Sequence, residues 1–197
     1  PAEIVAHRII WSFVFLIVVI GIGRGWRRLG SVLKNRRTLG ILVLAAIAIT
    51  VNWTTYVYSV STDQVVDASL GYFINPLVSV ALSVVILKES LRRWQWGAVG
   101  IAAGGVVVIA IGAAALPAIG LILAFSFGSY GLLKKMAGVD AISGLTVETM
   151  VLFPVAAVVL AVAEVQGSAA FVVDGVGITI LLLLLGPITA IPLLAYV

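Results

Sequence analysis

The chain has no cysteine, one histidine, and charged residues at only 10% of its 197 positions. Without cysteine there are no disulfides, thiol nucleophiles or cysteine-ligated metals. One histidine cannot supply the pair of an HExxH zinc site, and the eight carboxylates are scattered, with no glycine-rich phosphate loop. Ser126 and Ser129 have no identifiable base beside them, and hydroxyls in a helix ordinarily bond to backbone carbonyls. The sequence therefore reads as a non-enzyme, with no cofactor and no metal. A cleavable signal peptide is also missing, because the first apolar segment follows Glu3 without a basic leader and runs into an arginine-rich stretch. Scarce charge excludes a soluble globular domain. With 62% hydrophobic residues and a mean hydropathy of +1.25, the composition is that of an integral membrane protein.

Seven stretches approach the roughly 20 apolar residues that cross a bilayer as helix, namely 4–22, 39–59, 69–87, 95–113, 117–133, 145–163 and 178–197. The short alternating segments of a β-barrel are absent, so the fold class is all-α and polytopic. Eleven of the twelve Lys and Arg residues fall in three groups, 24–37, 88–93 and 134–135, at every second gap between apolar stretches. The other gaps hold Asp63 and Asp67, nothing charged around Leu116, and Glu164 and Asp174. The positive-inside rule makes the three basic loops cytoplasmic. Topology thus accounts for the net charge of +4 without a nucleic-acid partner, and the partners expected are the lipid bilayer and a small-molecule substrate. Trp26, Trp94 and Trp96 beside the basic groups read as interfacial anchors. The beginning at Pro1 and the end inside an apolar run at Val197 read as a piece of a longer chain. Nothing in the sequence fixes an oligomeric state.

The loops are short, so function is expected among the helices. Polar residues within the spans are costly in hydrocarbon and should face a cavity or a partner. In the first span Glu3, His7 and Trp11 repeat every four residues and share a face, with Arg8 and Ser12 on an adjoining one. In the second, Asn52, Tyr56 and Ser59 line one face, and Asn52 serves equally well as an interhelical hydrogen bonder. In the third, Tyr72, Asn75, Ser79 and Ser83 form a polar stripe around Pro76, which removes a backbone hydrogen bond in mid-span. Glu148 stands between Thr146 and Thr149 in the sixth. Pro187 and Pro192 flank Thr189 in the seventh and mark a broken or bent helix. The candidate substrate pathway is therefore His7, Arg8, Trp11, Asn52, Tyr56, Tyr72, Asn75, Ser79 and Glu148, with bends at Pro76, Pro187 and Pro192. Small residues, Gly97, Gly100, Gly104 and Gly112 in one span and Gly120, Ala124 and Gly128 in the next, include pairs four apart that predict close helix packing. A membrane-embedded enzyme, a channel or an assembly subunit are the alternatives. A channel would show rings of charge or a symmetric filter.

Several runs carry a family resemblance: PAEIVAHRIIWSF from Pro1, Asn52-Trp53, DASLGYFINPLVSV from Asp67, KESLRRWQW from Lys88, LAFSFGSYGLLKK from Leu123, and GLTVETMVLFPVAA from Gly144. They resemble the EamA family of the drug/metabolite transporter superfamily over nearly the whole chain, and Pro76, Glu89, Gln95 and Gly97 match its general signature. The resemblance implies ten helices in two inverted five-helix repeats. Residues 1–114 would be a first half lacking its first helix, and residues 117–197 a second half lacking its last two. It also implies a bacterial inner-membrane permease for a small organic metabolite or drug, such as a chloramphenicol-type compound or an amino acid-like solute. Such a permease would work by alternating access around a midplane site. Under the repeat correspondence Glu148 lies near the position of Arg8, so the two would pair across a central cavity or bind a zwitterionic substrate. If transport is proton-coupled, His7 and Glu148 are the titratable candidates.

Overall fold

The computed structural model describes residues 2–112, 118–166 and 176–196. Among them are eight helices and no strand: α1 (Ala2–Ile22), α2 (Trp26–Lys34), α3 (Arg36–Ser61), α4 (Val65–Ile86), α5 (Arg93–Gly112), α6 (Ala118–Ala137), α7 (Ala141–Val165) and α8 (Val176–Tyr196). Six of these are long and apolar enough to cross a membrane: α1, α3, α4, α6, α7 and Gly177–Ala195 within α8. That is one fewer than the seven spans expected, and the remaining one is α5, whose side chains are described only as far as residue 108. The chain is a multi-pass membrane protein. The junction at 114–117 expected between two halves, like Leu116 and Asp174, lies outside the described residues.

Four helices, α1, α3, α4 and α6, stop where single residues take the left-handed conformation. Arg24 (φ 53°), Asp63 (φ 57°), Lys88 (φ 54°) and Gly138 (φ 60°) each stand just past a helix end, where a left-handed residue ends the helical hydrogen-bond ladder. The starts of α3, α7 and α5 are held by side chains. Asn35 Oδ1 accepts from the backbone N–H groups of Arg37 and Thr38, each at 3.2 Å, and Asp140 Oδ2 accepts from the N–H of Ser143 at 2.9 Å. Gln95 Oε1 reaches back to the N–H of Arg92 at 2.8 Å.

Two of the three basic stretches are not loops. Residues 26–34 form α2, with Leu29 and Val32 buried. Its apolar residues recur at helical spacing, so the segment folds against neighbouring helices and does not stay solvated. Lys134 and Lys135 occupy the last turn of α6. Lys135 is exposed, but Lys134 is buried. Only 88–93 lies mostly outside helix.

Two compact units emerge. The first comprises Pro1–Ile47 with Leu133–Val197, and the second Ala48–Leu132. In the first, α1 packs along both α7 and α8, and α2 packs on α7. One core cluster joins Ile20, Leu29, Val32, Leu42 and Val147. Another joins Leu16, Leu145 and Ala190, and Phe13 stacks obliquely on Phe153 at 5.3 Å between centroids. α8 is continuous through Pro187 and Pro192. In the second unit α4 is continuous through Pro76 and crosses α6 closely. A Cβ on Gly71 would stand 2.7 Å from the carbonyl oxygen of Gly120, so this pair of glycines permits the crossing. The small residues of α5 behave otherwise, since a Cβ on Gly97, Gly100 or Gly104 would meet nothing within 4 Å among the described residues.

Candidate functional site

In the first unit the polar residues gather around α7. Every residue from Ser143 to Thr149 is buried, which makes these nearly two turns the centre of the unit. The threonines are satisfied within the helix. Thr146 Oγ1 donates to the carbonyl of Ile142 at 2.7 Å, and Thr149 Oγ1 to that of Leu145 at 2.9 Å. Glu148, 0% exposed, needs a partner from elsewhere. The α6–α7 hairpin supplies one. Gly138 and Asp140 turn the chain tightly enough that Lys134, 4% exposed, brings Nζ to 3.0 Å from Glu148 Oε1. Gly144 makes room for the ammonium, since a Cβ there would lie 2.7 Å from Nζ.

α1 presents the ladder that its spacing foretells. The Trp11 indole N–H donates to His7 Nδ1 at 3.2 Å, and His7 Nε2 lies 3.7 Å from Glu3 Oε1. An Nδ1 that accepts leaves the imidazole proton on Nε2, the nitrogen facing Glu3. His7 is buried, and Arg8 and Trp11 are partly so. On the next strip Ser12 Oγ donates to the carbonyl of Gly186 in α8 at 3.3 Å. An open groove of about 320 Å³ runs beside the Glu3 end, lined by Glu3, Val158, Val162 and Gln166 among others.

In the second unit Asn52 Nδ2 donates to the carbonyl of Leu123 at 3.0 Å and to Ser126 Oγ at 3.1 Å, tying α3 to α6. Ser126 itself donates to the Leu123 carbonyl at 3.1 Å. The Tyr56 and Tyr72 rings meet edge to face with centroids 6.4 Å apart, and Tyr72 is 63% exposed. Ser79 Oγ donates to Asn75 Oδ1 at 3.3 Å.

A profile of the EamA-like transporter family matches residues 1–111, more than half of the chain. The chain belongs to the EamA-like transporter family. It is similar to the RarD protein of Streptomyces exfoliatus, at 46% identity over 98% of this chain and 62% of that protein. It is 45% identical to an uncharacterized transporter, YojE, of Bacillus subtilis over 98% of this chain and 65% of that one. With the RarD protein of Escherichia coli the identity is 39%, over 98% and 66%. The chain thus spans 62–66% of the length of these relatives. No solved structure matches it.

Of the candidate pathway residues in this EamA chain, His7, Arg8, Trp11 and Glu148 fall in the first unit, and Asn52, Tyr56, Tyr72, Asn75 and Ser79 in the second. Within the first, α1 and α7 pack side by side. Lys134 is the residue that sequence reasoning missed. It reads as a topology signal beside Lys135, and only its place fourteen residues before a buried glutamate, across a turn containing Gly138 and Asp140, hints at a partner within a helical hairpin.

Proposed function

We propose that the full-length protein is a bacterial inner-membrane permease that moves a small organic metabolite or drug, of the chloramphenicol type or amino acid-like, by alternating access. The carrying observation is the Lys134–Glu148 pair at 3.0 Å, two ionisable groups buried in a unit built from helices long enough to span a bilayer. Such groups are expensive there and characteristically mark solute pathways. The His7–Trp11 ladder on α1, which packs along α7, supports the same reading, as do the names of relatives described as transporters. In this proposal ten helices form two inverted halves, and the bends reside at Pro76, Pro187 and Pro192. The basic segments 24–37, 88–93 and 134–135 face the cytoplasm. His7, Arg8, Trp11 and Glu148 line the path together with Asn52, Tyr56, Tyr72, Asn75 and Ser79.

The test is uptake and efflux of mixed amino acids and amphenicols by vesicles containing the full-length protein, with and without an imposed pH gradient. Saturable movement of one compound supports the permease. If it also responds to the gradient and is lost in His7→Ala, proton coupling is supported. Conductance without saturation would favour a channel. No movement of any compound would remove both solute classes.

A further inference from the structure

We propose that α2 is a fixed docking surface for the headgroups of anionic phospholipids. It follows α1, whose 21 residues extend about 31 Å, close to the thickness of the hydrocarbon layer. It precedes α3, a second span. A short helix between two full-thickness spans lies at headgroup depth. Its residues segregate by face. Leu29 and Val32 are buried in the core with Ile20, Leu42 and Val147, while Arg27, Arg28, Ser31 and Lys34 are exposed. Trp26, 52% exposed, stands at the helix start, where an indole suits the membrane interface.

Charge complementarity identifies the occupant. Between Glu3 and Asp63 the sequence contains no acidic residue, yet 24–37 carries six basic ones. None of the six takes part in an ion pair among the described residues. Fixed, unneutralised positive charge at headgroup depth attracts anionic lipid. The surface is also held in place at both ends. The left-handed Arg24 closes α1, and Asn35 ends α2 while capping α3. A merely orienting basic loop, such as Lys88–Arg92, has a left-handed Lys88 and a Gln95 cap of its own but lacks the docked apolar face. Because Leu29 and Val32 share a cluster with Val147, the neighbour of Glu148, headgroups that hold α2 also steady the buried turn of α7.

The experiment uses the full-length protein in mixed micelles of phosphatidylcholine and phosphatidylglycerol. It reads the ratio of the two lipids retained, by mass spectrometry, and the melting temperature at low and high salt. The expected result is enrichment of phosphatidylglycerol and a higher melting temperature, both declining as salt rises. The combined variant Arg24→Gln, Arg27→Gln, Arg28→Gln should lose about fivefold in enrichment per charge removed. The corresponding Lys replacements should keep most of it, and so should the loop control Lys88→Gln, Arg92→Gln, Arg93→Gln. Four outcomes would overturn the proposal: salt-independent enrichment in the unaltered protein, undiminished enrichment in the α2 variant, an equal loss in the loop control, or the same stabilisation from inorganic phosphate alone. None of these readouts involves transport, so failure here is distinguishable from failure of the permease reading.

Discussion

Lys134 Nζ sits 3.0 Å from Glu148 Oε1, with both side chains withdrawn from solvent. Desolvating two charges consumes most of what their attraction returns, so the intact pair adds little net stability, whereas removing one partner strands the other. Lys134→Met is expected to destabilise the protein by about 3–5 kcal/mol. Lys134→Met combined with Glu148→Leu should restore most of that loss. Thermal unfolding of the three proteins in the same detergent checks it.

The glycine crossing gives a contrasted pair. Gly71→Ala would push a Cβ to 2.7 Å from a backbone oxygen of α6, where neither helix can yield cheaply. A loss of about 1–3 kcal/mol is expected. Gly100→Ala meets nothing within 4 Å among the described residues and should not lower the melting temperature.

Asn52→Ala tests the interhelical hydrogen-bond reading against the pathway reading. The amide joins α3 to α6 through two bonds, each worth well under the vacuum value in a membrane protein. If it is a tie alone, the variant loses about 1 kcal/mol of stability and transports at an unchanged rate. A collapse of flux with the fold intact would place Asn52 in the path.

Trp11 reports on His7. Its indole donates to Nδ1, and protonating that nitrogen removes the acceptor. In a protein retaining Trp11 as its sole tryptophan, acidification should shift the emission as the bond breaks, and raising the pH should reverse the shift. His7→Phe should abolish the response.

The α1 ladder was legible in the sequence because a spacing of four places residues on one helical face wherever the helix packs. The spans were legible because bilayer thickness sets their length. α2 was hidden by its own charge: six basic residues in a loop satisfy topology, and the apolar spacing of Leu29, Val32 and Leu33 is easily passed over among them. Lys134 was hidden for a related reason, since a lysine at a helix end is as good a topology signal buried as exposed. Its partner is fixed by the hairpin that Gly138 and Asp140 shape. The glycine stripes show the limit of periodicity. Spacing alone gives α5 and α6 the same small-residue face, yet only Gly120 and Gly128 of α6 meet another helix closely in the described chain. Which stripe is used depends on what packs opposite, and no local pattern records that.

The most direct test of the buried pair as working machinery is the flux of the Lys134→Met, Glu148→Leu protein, measured in proteoliposomes beside the unaltered full-length protein and matched for folded fraction. The account predicts a melting temperature near that of the parent, with saturable flux reduced at least about tenfold, a transition-state loss of roughly 1.4 kcal/mol or more. Undiminished saturable flux in that stable double variant would contradict it and reduce the pair to a clasp within the hairpin.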